Sequence, residues 1–295
     1  MLTSRLFVAF VSLTAVAVLL YSTALTAEPP EEGTVKSADG VEVAYDVRGK
    51  GDTALVFIHG WSGDREYWKH QVEPLAADYR VVTLDLPGHG RSGRDRKLWT
   101  ATGFAADVEA VVKKLELKRV ILIGHSMGGP VSLATAKRLP GIVIGIVAVD
   151  TLQNAEYKFP EEQRQQYLAA FAKDFTATMA FGLAGMLPEK VDPELTAWLL
   201  AKSLKADRTM ANAVMRDLGT LDQAALLKEA KVPVRAINAA GGFMFHVPTA
   251  VETQQKYADY KAVLVDGVGH FPMLEKPDEF NAKLREVLKE LATAR

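Results

Sequence analysis

The run Val120-Ile121-Leu122-Ile123, followed by Gly124-His125-Ser126-Met127-Gly128, constrains this chain more than any other segment. Consecutive β-branched and aliphatic residues read as a buried strand. Gly129 and the stretch Val131-Ser132-Leu133-Ala134-Thr135-Ala136-Lys137-Arg138 read as a helix. A serine therefore stands at the apex of a tight strand-to-helix turn. That context separates a nucleophile elbow from a chance G-x-S-x-G match. The turn also explains its glycines. The backbone at Ser126 is strained, and side chains at Gly124 and Gly128 would collide with the neighbouring chain. The hydroxyl is left exposed at the start of a helix, where the dipole favours developing negative charge.

A nucleophilic serine needs a base, an acid to orient that base, and donors for the oxyanion. Of the histidines, His270 fits best as the base. It lies in Val268-Gly269-His270-Phe271-Pro272, just after the strand-like Ala262-Val263-Leu264-Val265 and before an amphipathic helix over Asp278 to Leu291. A loop after the last strand can carry an imidazole over the sheet to the serine. His59 and His125 sit in segments whose backbone matters more, and His89 lies in the loop Pro87-Gly88-His89-Gly90-Arg91-Ser92. His70 falls on an expected helix. His246, beside Phe245, suits packing or lid chemistry. For the oxyanion, the strand Ala54-Leu55-Val56-Phe57-Ile58 ends in His59-Gly60-Trp61. The expected donors are the backbone N–H groups of Trp61 and of Met127, the residue after the nucleophile.

These segments together resemble the α/β-hydrolase superfamily, specifically its serine-nucleophile, esterase- and lipase-like members. The likeness rests on His59-Gly60-Trp61, on Asp85 through Ser92, on Gly124 through Gly129, and on Gly269-His270-Phe271 followed by Glu275-Lys276-Pro277. Their order and separations match from about Gly33 onward. The resemblance implies an α/β fold: an eight-stranded, mostly parallel sheet with helices on both faces. It also implies that Asp85 anchors its loop by hydrogen bonds rather than taking part in chemistry.

The acid departs from the pattern of many relatives. The strand Val232 to Asn238 is followed by Ala239-Ala240-Gly241-Gly242-Phe243-Met244, which holds no carboxylate. The preceding strand, Ile142 to Val149, ends in Asp150. Two readings of Asp150 stand. In one it orients His270, as a buried strand-end carboxylate needs a donor. In the other it caps the turn Asp150-Thr151-Leu152. Asp222 is expected to cap a helix beginning near Gln223. Asp266 reads as a turn residue.

Composition narrows the function further. The 295 residues are 48% hydrophobic and 24% charged, enough chain for one large core. A formal net charge of -1 gives no basic surface for nucleic acid or an anionic membrane. With no cysteine there are no disulfides, thiolate nucleophiles or cysteine-based zinc sites. Histidine spacing suggests no metal site, and no cofactor is expected.

Arg5 followed by an uncharged, apolar stretch from Leu6 to Tyr21, then by small residues through Ala24 and Ala27, reads as a secretory signal cleaved after Ala24 or Ala27. An uncleaved N-terminal anchor is the alternative, and the only route to membrane contact. Either places the catalytic domain outside the cytoplasm, in the periplasm or secreted.

The chain thus divides into a signal peptide or anchor (1–27), a first part of the core (28–150), a helical lid (151–227) and a second part of the core (228–295). The core opens with a hairpin from Gly33 to Gly49, turned at Asp39-Gly40. The lid shows helical stretches over Glu161 to Phe175, Pro193 to Leu204 and Arg208 to Leu218. Its Phe171, Phe175, Met179, Phe181, Leu183, Met186 and Leu187 suggest an apolar pocket wall, although most such residues serve packing. The function expected is an exported serine hydrolase that cleaves a carboxylic ester with an apolar group through an acyl-enzyme. Ser126 and His270, with Asp150 on the first reading of that residue, form its triad; a dyad without an acid is the alternative. The alternatives are C–C bond hydrolysis, thioester cleavage or perhydrolysis on the same fold, or a non-catalytic small-molecule binding protein.

Overall fold

The apolar runs become strands in the computed structural model, which describes residues 29–293. The N-terminal segment read as signal or anchor lies outside them. The strands are β1 (Glu31–Lys36), β2 (Glu42–Arg48), β3 (Ala54–Ile58), β4 (Arg80–Leu84), β5 (Val120–His125), β6 (Val143–Val149), β7 (Val234–Ala239) and β8 (Tyr260–Val265). They form one eight-stranded sheet in the order β1-β2-β4-β3-β5-β6-β7-β8. β1–β2 and β2–β4 pair antiparallel and all other neighbours pair parallel. The expected hairpin is β1–β2. Its turn closes through Gly40 N–H to Ser37 O at 2.9 Å, with Gly40 at φ 87°.

The helices are α1 (Val72–Ala76), α2 (Phe104–Lys114), α3 (Gly128–Arg138), α4 (Glu161–Lys173), α5 (Phe175–Met186), α6 (Pro193–Ser203), α7 (Arg208–Leu218), α8 (Gln223–Ala230), α9 (Val251–Gln255), α10 (Pro272–Glu275) and α11 (Pro277–Thr293). They cover both faces of the sheet, which is why the central strands are apolar without alternation. Side chains still point alternately. Val56, Leu122, Ile146 and Ala148 join a core with Phe104 and Val108 of α2 and Leu133 of α3. Phe57, Ile123, Val147 and Val149 join a second core with Phe280, Leu284 and Leu288 of α11. No helix among the described residues is long and apolar enough to cross a membrane.

Between β6 and β7 the chain forms α4 to α8. The expected helix over Glu161 to Phe175 forms as α4 but ends two residues early, at Lys173. Asp174 is extended, at φ −149°, and its side chain accepts from Ala177 N–H at 3.0 Å. An N-cap inside a helical composition starts a new helix, so Phe175 opens α5 instead of closing α4. The domain boundary placed at 227 falls inside α8, which packs against α3 in the core layer. Composition marks a segment as helical but does not say which layer it joins. Asp222 caps α8 as expected, accepting from Ala225 N–H at 3.0 Å. His70 lies in the turn between the 3-10 segment Arg65–Trp68 and α1, not on a helix.

Asp85, directly after β4, anchors its loop. One oxygen accepts from Arg65 N–H at 2.9 Å. The other accepts from Arg65 Nη2 at 2.8 Å and from Arg91 N–H at 2.8 Å. Burial pushes this carboxyl up, but the Arg65 guanidinium and the backbone donors outweigh it and hold it below the usual range. Asp85→Ala strips the buried Arg65 of its main partner and should destabilise the protein by about 3 kcal/mol. Urea unfolding reads this, and an unshifted midpoint would contradict the anchoring role.

Candidate active site

The elbow forms as its glycines require. Ser126 has φ 52°, a left-handed conformation that a non-glycine residue adopts only under constraint. Its N–H donates to Val149 O at 3.1 Å, extending the β5–β6 pairing, and its carbonyl accepts from Gly129 N–H at 2.9 Å. A Cβ on Gly124 would run into the Gly128 carbonyl, and one on Gly128 into the Ile58 carbonyl. Met127 is the N-cap of α3. The loop after β3 passes against the elbow, since a Cβ on Gly60 would lie 3.1 Å from Ser126 Cβ. The N–H groups of Trp61 and Met127 have no protein acceptor among the described residues.

Asp150 and His270 meet. His270 Nδ1 lies 2.6 Å from Asp150 Oδ2. The carboxylate is 1% exposed and the imidazole 16%. Asp150 Oδ1 accepts from Ala239 N–H, at the end of β7, at 2.9 Å. Neither oxygen turns to the cap bonds of the rival reading. The Thr151 N–H goes instead to Asn238 Oδ1 at 3.2 Å. Since an ionised carboxylate only accepts, the proton sits on His270 Nδ1, and Nε2 carries the free lone pair.

The His270 loop is held by groups whose role the sequence did not disclose. Glu275 accepts from Gly269 N–H at 2.8 Å with one oxygen and from Phe271 N–H at 2.9 Å with the other. It thus holds the N–H groups of the residues on either side of His270. Burial pushes its carboxyl up. The His270 N–H donates to Met186 O, at the end of α5, at 2.8 Å. His125 Nε2 donates to the His270 carbonyl at 2.8 Å. The available signal was spacing: a glutamate five residues after the histidine, directly before Lys276-Pro277.

Ser126 and His270 line one cavity of about 630 Å³. Phe171, Met179, Leu183 and Met186 from the inserted helices line it too. Three of the apolar residues read from the insert do not. Leu187 joins the second core, Phe175 packs with Phe171 and Ala211, and Phe181 is 56% exposed. His246 is also on the cavity wall, whereas His70 is not. Among the described residues, no Asp, Glu, Lys or Arg lines the cavity. The Trp61 ring lines the wall, with its indole N–H donating to Ala211 O on α7 at 3.0 Å.

A model of the alpha/beta hydrolase family matches residues 55–283. The chain belongs to that family. The dihydrolipoyllysine-residue acetyltransferase component of the acetoin cleaving system of Cupriavidus necator is 28% identical over 258 residues, 85% of this chain and 67% of that protein. The pimeloyl-[acyl-carrier protein] methyl ester esterase of Nitrosospira multiformis is 28% identical over 246 residues, 78% of this chain and 92% of that protein. The solved structure of Est816, described as an N-acyl homoserine lactone degrading enzyme, matches with a TM-score of 0.74. It is 26% identical, over 86% of this chain and 99% of that one.

In this alpha/beta hydrolase, two buried histidines pin the Trp61 loop to the Asp85 loop. His59 Nδ1 donates to Gly60 O at 2.8 Å while its Nε2 accepts from Leu86 N–H at 3.0 Å. His89 Nδ1 donates to Pro87 O at 3.1 Å while its Nε2 accepts from Ser62 N–H at 3.2 Å. Each ring must be neutral to make both bonds. Burial pushes His59 and His125 down, and takes His89 from 6.5 to about 3. The unfolded chain binds these protons near pH 6.5 and the folded one does not. This contribution to stability is complete above that pH and is lost as pH falls towards 3. The free energy of unfolding in urea should therefore decline steadily from about pH 7 to about pH 4. A flat profile over that range would refute the neutral-histidine account.

Proposed function

We propose that the protein hydrolyses uncharged carboxylic esters with an apolar group, through an acyl-enzyme on Ser126. The observation that carries this reading is the 2.6 Å contact between Asp150 and His270, which lines the same cavity as Ser126. His270 Nε2 takes the Ser126 proton as Oγ attacks the ester carbonyl. The N–H groups of Trp61 and Met127 hold the oxyanion. Asp150 keeps the imidazole in the required tautomer and stabilises the imidazolium. As the tetrahedral species collapses, the acyl–oxygen bond breaks and His270 returns the proton to the leaving alcohol. Water, deprotonated by the same histidine, then attacks the acyl group and frees the acid and Ser126. No step needs a cofactor.

The apolar lining favours an apolar acyl or alcohol group, and the absence of charged side chains from it favours a neutral substrate. The similar proteins support the same bond type. One is named for a methyl ester and another for a lactone, and both contain an acyl–oxygen bond. The helices α4 to α7 act as a lid over the cavity. The residues before 28 act as an export signal, which makes this a periplasmic or secreted enzyme. N-terminal sequencing of exported protein should begin at Leu25 or Glu28.

A fluorophosphonate probe should label Ser126 stoichiometrically in the parent and not in His270→Ala. Ser126→Ala should lower kcat on p-nitrophenyl butyrate by about five to six orders of magnitude, and Asp150→Asn by about three to four. A folded parent that neither reacts with the probe nor cleaves esters would point to a binding protein. An unchanged rate in Asp150→Asn would remove that residue from the triad.

A further inference from the structure

α5 contains two buried glycines that differ in kind. Gly185 is imposed by packing, because a Cβ there would enter the Phe245 ring. Gly182 is not. It is buried, lies in the middle of the helix and lines the cavity, yet a Cβ on it would meet nothing within 4 Å. Its φ is not in the left-handed region. A helix interior is where glycine is least favourable after proline, because it loses the most conformational freedom on ordering. Neither the backbone nor a close neighbour calls for the missing side chain. What its absence leaves is open volume on the cavity wall.

The helical repeat puts Met179, Gly182 and Met186 on one face, three and four residues apart, and all of them line the cavity. The face is therefore a notch between two flexible thioether side chains, which adapt to irregular shapes. Trp61, Tyr167, Phe171 and Phe245 supply aromatic wall elsewhere. A small acyl group such as acetyl would leave such a notch unfilled. A branched or aryl-bearing group would fill it.

We propose that Gly182 determines substrate size, and that the notch it leaves between Met179 and Met186 admits the branched or aromatic part of an uncharged ester. This rests on the ester-hydrolase reading above. The test compares the parent with Gly182→Ala and Gly182→Val on p-nitrophenyl acetate and p-nitrophenyl 2-phenylpropanoate. The readout is the ratio of kcat/KM for the bulky ester to that for acetate. It should fall about threefold in Gly182→Ala and at least about tenfold in Gly182→Val, as expected for overfilling a formed pocket. Gly182→Ala should at the same time raise Tm by about 2 °C, because alanine is the better helix former and has room. A merely structural glycine would do the opposite, lowering Tm and both rates together.

A ratio within about twofold of the parent in both variants overturns the proposal, as does a lowered Tm in Gly182→Ala. The same substitutions in the Ser126→Ala background separate this inference from the reaction. Calorimetric titration with the intact 2-phenylpropanoate ester should show binding weakened about tenfold by Gly182→Val. If the parent cleaves neither ester but that weakening is seen, the size rule stands and the hydrolase reading falls. If binding is unaffected, the size rule falls whatever the parent cleaves.

Discussion

The hydrogen bond between His270 and Asp150 joins the ends of two strands that are not neighbours. Asp150 follows β6, His270 follows β8, and β7 lies between them. The bond therefore spans a whole strand, and it forms only if all three strands keep register. β7 takes part directly, through the Ala239 N–H on the second carboxylate oxygen. A one-residue slip of β7 would withdraw that donor and turn the Ala239 position to the other face of the sheet. The geometry of the candidate site is thus set by the packing of the parallel strands rather than by the loops alone.

The same region concentrates backbone strain. Ser126, Asp150 and Leu152 all have positive φ, at 52°, 42° and 52°. Each such conformation costs about 1–3 kcal/mol and persists only where its surroundings over-determine it. Here they do. β3 and β5 are buried along their whole length, and the N–H groups of Ser126 and Asp150 are both tied to neighbouring strands. His270 is constrained from several sides: its ring by Asp150, its carbonyl by His125, its N–H by Met186, and the N–H groups of its two neighbours by Glu275. Because Met186 ends α5, the inserted helices and the histidine loop share a hydrogen bond. Displacing one disturbs the other.

Much of this was legible in the sequence, for identifiable reasons. Steric demands at Gly124 and Gly128 leave few residue choices, so the elbow can be read directly. The buried strands β3, β5 and β6 are apolar on both faces and stand out as unbroken runs. Asp222 announced its bonding through position, and the family resemblance implied that of Asp85. Other features left no local trace. Asp174 stops α4 two residues short and opens α5, because a single capping side chain outweighs a continuous helical composition. α8 belongs to the core layer because its neighbour is α3, which lies some 90 residues earlier in the chain. Glu275 looks like an ordinary acidic residue at a helix end until its two backbone donors are seen.

Local stereochemistry therefore determined the serine elbow, the strand runs, the caps and the family likeness, since each depends on residues within a few positions of one another. Which carboxylate faces His270 was decided only by the assembled sheet, because Asp150 and His270 are 120 positions apart and meet across β7. The cavity's shape was settled in the same way. An empty position such as Gly182 acquires meaning only when the surrounding walls are in place, for the absence of a side chain is a physical fact about its neighbours.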